Sequence, residues 1–437
     1  MEKKADLVLT GRYLVTMDSR GTIIEEGGLA VRGDSVLEVG GAAELAAKYP
    51  GATRIDRPQG LIMPGLVNVH THAAMACFRG LADDLPLMEW LQEHIFPAEA
   101  KLTGEMVYHS TRLSLCEMIR SGTTSFCDMY LFAGDVARAA AEAGMRAWIG
   151  EVLYDFPSPC YGELENGFRY TDELFAAWAG HDLITITVDP HAVYTCAPEL
   201  LVRLARLAEE RDSLYVIHLS ETRDEVALCR ERHGATPVEH LERLGVLNSR
   251  VLADHCVHVS DEEIALMAER GVSVAHCPES NLKLASGIAP VVRMLAAGIP
   301  VGIGTDGAAS NNDVDMFGEM STAARIHKVA AMDPTAMDAV TTLHAATMGG
   351  AAALGAERLV GSLEPGKKAD CIVLDLDQPH LTPVYHPVSH LVYAARGSDV
   401  TDSVIGGRLV MEERRLLTLD EPAILARMQE VAARIRA

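Results

Sequence analysis

The stretch Pro64-Gly-Leu-Val-Asn-Val-His-Thr-His-Ala-Ala-Met-Ala-Cys-Phe-Arg-Gly80 (PGLVNVHTHAAMACFRG) decides how the rest of the chain is read. An apolar, β-branched run ends in two histidines, His70 and His72, separated by one threonine. Residues i and i+2 of a strand face the same side, so both imidazoles can point at one spot. Two readings are open at this point. The pair either caps a strand or supplies the first two ligands of a metal ion.

The pattern recurs downstream. Apolar stretches appear at GTTSFCDMY (122–130), MRAWIGEVL (145–153), ITITVDPHAV (184–193), SLYVIHLSE (213–221), VLADHCVHV (251–259), VSVAHCPES (272–280) and PVGIGTDGA (300–308). Segments with helical spacing lie between many of them, such as APELLVRLARLAEERD and DEEIALMAERG. With 61–72 these make eight strands alternating with helices, which predicts an α/β fold, a parallel (β/α)8 TIM-like barrel. An open doubly wound sheet would call for a Gly-rich phosphate loop after its first strand. The turn there reads HTHAAMACFRG instead.

Short strands punctuated by Gly and Asp fill both ends of the chain: ADLVLTGRYLVTM and TIIEEGGLAVRGDSVLEVG at the start, GSLEPGKKADCIVLDLD and DVTDSVIGGRLVMEERRLL near the end. They predict a small discontinuous β-sandwich domain built from residues 1–60 and 363–437. Residues 61–362 form the expected barrel.

The 437 residues are 49% hydrophobic, enough to bury a large core. With 38 basic against 61 acidic residues, the formal charge is −23. Such a surface repels nucleic acid and anionic membrane and favours a small-molecule substrate. No stretch approaches the roughly 20 apolar residues of a membrane span, and MEKKADLVLT lacks a signal-peptide core. Nine scattered cysteines without a CxxC pair suit a reducing cytoplasm, where they act as small buried hydrophobes.

In a barrel of this kind the chemistry gathers at the C-terminal ends of the strands. Those ends carry His70 and His72, His191, His218 and Glu221, His255, and Asp306. Three imidazoles and a carboxylate, from His70, His72, His218 and Asp306, suit Zn²⁺ with one position open to water. Fe²⁺ and Mn²⁺ share that ligand preference. His240, His258, His276 and His344 read as ordinary surface or capping residues.

PGLVNVHTH, VIHLSE, ADHC and GIGTDGAASNNDVDMF together resemble the amidohydrolase superfamily. LPLMEWLQEHIFPAEAKLT and GTDGAASNNDVDMF narrow the resemblance to its 5-methylthioadenosine/S-adenosylhomocysteine deaminase and chlorohydrolase branch. It extends over nearly the whole chain and selects the metal-ligand reading of the two histidines. Members with two metals use a carboxylated lysine after the fourth strand, and LITITVDPHAVYTCAPE has no lysine. One ion per chain is therefore expected.

The resemblance implies hydrolytic deamination of an adenosine derivative, a nucleoside small molecule. Asp306 would take a proton from water, His255 would aim that water, and Glu221 would protonate a ring nitrogen. Glu99 would bind the ribose hydroxyls and His191 the base or sugar, with Trp90 and Phe96 walling the pocket. Relatives form dimers or tetramers, which makes a homo-oligomer the expectation. Many members carry an arginine just after the third strand. RAWIGEVLYDFPSPCYGELENG has Glu151 there and no arginine until Arg169. A carboxylate on the nucleoside tail would lose a partner, leaving the tail to Tyr154 or Phe156. Other ring hydrolases of the branch, acting on triazines, guanine or aminodeoxyfutalosine, are the alternative. A non-catalytic assembly protein is the reading from outside enzymology, and eroded ligands would mark it. The motif of the unrelated cytidine-type zinc deaminases is absent from the sequence.

Overall fold

The computed structural model describes residues 4–436; residues 1–3 and 437, the outermost ends of the two expected terminal segments, lie outside the described residues. A strand occupies each of the eight apolar stretches. Leu66–Thr71, Thr123–Tyr130, Arg146–Leu153, Ile184–Ile186 and the two-residue Asp189–Pro190 form one parallel sheet. Tyr215–Leu219, Val251–His255, Ser273–His276 and Val301–Ile303 form a second.

Nearly every residue in these strands is buried. That explains the continuous apolar runs, because a parallel strand covered on both faces has no solvent side to alternate with. At one seam, parallel bridges join Val188 to Tyr215 and Ala192 to His218. At the other, Asp306 N donates to His70 O at 3.0 Å, and Thr305 N donates to Asn68 Oδ1 at 3.1 Å. The backbones approach closely there. A Cβ on Gly304 would stand 2.8 Å from His70 N and O, so only glycine lets the last strand lie against the first.

The intervening helices follow the predicted spacing. Pro198–Glu210 turns Leu200, Leu201, Leu204 and Ala208 inward. Asp261–Arg270 starts at a capping box in which Ser260 and Glu263 exchange hydrogen bonds, and ends at Gly271 with φ +74°. Among the described residues no helix is long and apolar enough to cross a membrane.

The chain ends pair into one nine-stranded sheet, in which the Thr53–Pro64 strand lies between Leu7–Val15 and Cys371–Asp375. On one face of it, Leu7, Leu9, Leu29, Val31, Ile62, Cys371 and Val373 form their own core. On the other face, Val8 and Ala30 pack on Leu45 and Tyr49 from the Ala42–Lys48 helix and its C-cap. Period-two alternation thus divides the same strands between two cores. Arg146 ties this sheet to the parallel strands through a buried, two-pronged ion pair with Asp370, at 2.8 and 3.2 Å.

Of the histidines read as surface or capping residues, two are buried. His276 Nε2 lies 2.9 Å from His327 Nε2 in the core, and His240 is buried beside His233. Imidazole is apolar enough to be covered by a ring partner, the His327 nitrogen for His276 and the stacked His233 ring for His240, and spacing alone does not reveal this. His258 is half-buried and hydrogen-bonded to Ser286 O, while His344 is exposed.

Candidate active site

The C-terminal ends of the strands bring together every residue expected of the metal site. His70 is the last residue but one of its strand and fully buried, and His72 stands one residue beyond the strand end at the start of a 3-10 turn, Ala73–Phe78. His72 Nε2 is 3.2 Å and His70 Nε2 3.6 Å from Asp306 Oδ1. His218 Nε2 lies 3.3 Å from His72 Nε2. Donor atoms of His70, His72 and His218 lie within 4.8 Å of one another, as do those of His70, His255 and Asp306.

Which nitrogen faces the cluster follows from the other one. Nδ1 of His72 faces the Met129 carbonyl, and Nδ1 of His218 faces the His191 carbonyl at 2.8 Å. A carbonyl only accepts, so both Nδ1 atoms must carry hydrogen and both Nε2 atoms present lone pairs. His70 repeats the arrangement with a carboxylate, its Nδ1 3.0 Å from Asp254 Oδ2, and its buried Nε2 has no hydrogen-bond partner. The lone pairs of His72 and His218 and the Asp306 carboxylate oxygen converge on one spot, an arrangement that a cation stabilises. Burial alone would lower the pKa of His70, yet Asp254 and Asp306 lift it to about 10. That is the sign of a point favouring positive charge. The donor set therefore fits a zinc-type ion.

The flanking groups are tuned apart. Burial pushes Glu221 up to about 8, with the Asp306 charge adding to it, so its carboxyl keeps a proton at neutral pH. Its Oε1 accepts from Ser286 Oγ at 3.3 Å and its Oε2 lies 4.0 Å from His255 Nε2. Asp306 is held well below the usual carboxylate range: burial opposes this, but the His70 contact and the other imidazoles outweigh it. It accepts from Gly307 N at 2.7 Å and Ser280 Oγ at 2.6 Å. Burial holds His255 at about 4 and His191 at about 4. Asn281 Nδ2 lies 3.0 Å from His255 Nδ1 and can donate to it, which leaves Nε2–H aimed at the cluster.

Above the cluster opens a cavity of about 710 Å³, lined by His72, His191, His218, Glu221, His255 and Asp306 and walled by Trp90, Phe96, Glu99, Tyr130, Tyr154 and Phe156. Glu99 Oε1 accepts from Tyr130 Oη at 2.7 Å, and burial raises its pKa to about 7. His191 Nδ1 shares a 2.8 Å hydrogen bond with Thr195 Oγ1. Trp90 donates its indole N–H to Ala82 O at 3.1 Å.

Glu151 is elsewhere. It is buried outside the cavity lining, accepting from Ala133 N at 2.8 Å, and burial raises its pKa to about 8. It braces the chain after the second strand. The reading of the residues passed over Asp254, Ser280, Asn281 and Ser286. Asp254 carried a signal, as a charge inside the apolar run VLADHC.

Residues 61–410 match the model of the amidohydrolase family. The chain belongs to the amidohydrolase family. Residues 27–52 also match an imidazolonepropionase-like composite domain of bacteria. The chain is 54% identical over 433 residues, 99% of each chain, to a 5-methylthioadenosine/S-adenosylhomocysteine deaminase of Syntrophobacter fumaroxidans. It is 47% identical to one of Syntrophus aciditrophicus, covering 99% of this chain and 98% of that one. Among solved structures it is similar to an adenosine deaminase from Xanthomonas campestris with bound zinc, at a TM-score of 0.97 and 41% identity over 100% of both chains. An atrazine chlorohydrolase of Arthrobacter aurescens, also complexed with zinc, shares the fold at a TM-score of 0.91 and 24% identity over 98% of this chain and 100% of that one.

Proposed function

We propose that this amidohydrolase is a zinc-dependent deaminase of 5′-modified adenosines, such as 5′-methylthioadenosine, releasing ammonia and the inosine analogue. The observation that carries this reading is the placement of Glu221: a buried carboxyl 4.0 Å from His255 Nε2 that lines the same cavity as His72, His218 and Asp306, beside the donor cluster. The names of the relatives support the same substrate class.

His70, His72, His218 and Asp306 would hold the zinc. When bound, zinc lowers the pKa of water from 15.7 to about 7 and so makes a nucleophile available. Asp306, ionised, accepts the proton that the water gives up. His255 donates Nε2–H to the water oxygen, its ring held by Asn281. Glu221 gives its proton to the purine ring nitrogen next to C6, so C6 accepts the oxygen.

The tetrahedral carbon then carries a hydroxyl and the amine. Asp306 returns its proton to the amine, the C6–N bond breaks with its electron pair, and ammonia leaves. The hydroxyl proton passes to Glu221 as the C6 carbonyl forms, and both carboxyl groups are reset. Glu99 accepts hydrogen bonds from the two ribose hydroxyls, while His191 and Trp90 flank the base and sugar.

The reading extends to the whole chain. The two parallel sheets make the (β/α)8 barrel across their hydrogen-bonded seams, with residues 61–362 as the catalytic domain. The terminal segments 1–60 and 363–437 make the sandwich around their own core. A homo-oligomer located in the cytoplasm completes the proposal; light scattering tests the first part.

The deciding experiment is ammonia release from methylthioadenosine, adenosine, guanine and a chlorotriazine, with zinc counted per chain by mass spectrometry. Adenosines should react best with about one zinc per chain. His70→Ala should lose both zinc and turnover. A triazine or guanine as the best substrate, or two tightly held ions, would reject the reading.

A further inference from the structure

Three fully buried aspartates, Asp128, Asp189 and Asp254, stand on separate parallel strands within electrostatic reach of His70. None of them takes part in the proton transfers above. They differ in what meets them. Asp128 Oδ1 accepts from Ala73 N at 2.5 Å, which pins the turn after His72. Asp254 Oδ2 faces His70 Nδ1 at 3.0 Å. Asp189 fills the slot left open by Gly150, where a Cβ would stand 2.2 Å from its Cγ, and neither of its oxygens makes a well-formed hydrogen bond.

Two buried carboxyl groups in one layer do not both keep their charge away from water unless each has its own partner. The imidazole N–H serves Asp254. The nearby Thr187 hydroxyl and His70 favour a charge on Asp189, but burial, Asp254 and Asp128 outweigh them and hold it well above the usual carboxylate range.

His70 also differs from the other two imidazoles. His72 and His218 are backed by backbone carbonyls, whereas the partner behind His70 is a side chain. A carboxylate accepts a hydrogen bond more strongly than a carbonyl does, and it makes the far nitrogen of the ring a better donor to a metal.

We propose that Asp254 is a positioning residue of the metal site: as a carboxylate it fixes the ring of His70 and enriches Nε2, while Asp189 in the same layer is a neutral acid with no part in holding the metal. The inference rests on the assignment of His70 to zinc in the proposed function.

The same substitution at the two aspartates tests it. Asp254→Asn keeps the shape and an oxygen that can accept from His70, but removes the charge. Zinc affinity, read by competition with a chromophoric chelator, should fall by about 10–100-fold, the usual cost of losing such a partner. Asp254→Ala, which also frees the ring, should lose more. Asp189→Asn exchanges one neutral group for another of the same shape and should bind zinc as the parent does. Difference infrared spectra of the zinc-loaded proteins read the charges: Asp189→Asn should lose the band of a protonated carboxyl, and Asp254→Asn that of a carboxylate. A role for Asp254 in packing alone would lower Tm and leave zinc affinity at the parental value. That result overturns the inference, as does a loss of zinc affinity in Asp189→Asn. A carboxylate band missing from Asp189→Asn overturns it too, and this readout holds even if Asp254→Asn does not fold. Ammonia release by the parent is measured alongside. Its absence from every adenosine defeats the nucleoside reading and leaves the zinc comparison standing.

Discussion

At the scale of single residues, the site works by separating the states of chemically similar groups. Glu221 and Asp306 are both buried carboxyl groups, yet one is held protonated near 8 and the other ionised. The difference is that the imidazoles crowd Asp306, whereas Glu221 meets Ser286 and the edge of His255. Replacing Glu221 by Gln keeps the shape and removes the proton that the proposed mechanism transfers. Zinc content should be unchanged while turnover falls by about 10²–10⁴-fold, the usual worth of a general acid. Near-parental turnover would assign ring protonation to another group.

Glu99 offers a thermodynamic check that needs no substrate. Its pKa is raised by burial to about 7 against an ordinary 4.5, with the Tyr130 hydrogen bond opposing the shift. The folded state therefore binds this proton more tightly than the unfolded chain. Stability from this group is fully present below about 4.5 and is lost as pH rises through about 7. Glu99→Gln removes the titration, so its Tm relative to the parent should climb between pH 5 and pH 8. A pH-independent difference in Tm would show that the carboxyl is not desolvated.

Elements carry the next layer, since the strands deliver side chains only if their backbones meet. Gly304 lies against the backbone of His70 with ordinary φ, so the restriction there is space alone. Gly304→Ala should force His70 and the last strand apart, costing about 1–3 kcal/mol as overpacking usually does and lowering zinc content. Gly40→Ala, where a Cβ would meet nothing within 4 Å, is the matching control and should unfold like the parent. Urea melts of the two variants, with metal analysis, separate crowding from a general intolerance of alanine. Strand ends also hold unusual backbone: Ser220, His255, Cys256 and Asp306 all have φ between +47° and +69°. Non-glycine residues rarely adopt that conformation, and here it occurs where strands turn their functional side chains toward the mouth.

At the scale of the whole molecule, the terminal sheet and the parallel strands meet at Arg146 and Asp370, whose side chains are 3% and 2% exposed. Asp370 also accepts from Gly406 N at 2.6 Å, so its charge is fixed from both sides. Arg146→Met strands that carboxylate in the interior, and the loss should be about 3–5 kcal/mol. The double variant Arg146→Met with Asp370→Leu should recover much of it, because two apolar groups leave no unpaired charge behind. Equal stability of the single and double variants would mean that water reaches Asp370.

Much of this molecule is written locally. Eight buried strands could be read from apolar runs because parallel strands covered on both faces need no polar alternation, and the helix at Asp261–Arg270 is announced by its own caps. The HTH, HLSE and TDG motifs named the residues of the cluster because each lies at the end of such a run. What the sequence by itself could not determine depends on residues far apart in the chain. The lone-pair direction of His72 is set by a carbonyl at Met129, that of His218 by one at His191, and the orientation of His255 by Asn281. Glu151 looked like a tail residue by position, yet its side chain turns to Ala133 and leaves the cavity to Tyr154 and Phe156. Burial and charge depend on neighbours in space, so the identities of the clustered groups were legible in the chain, while their protonation, tautomers and facing were decided only when the strands came together.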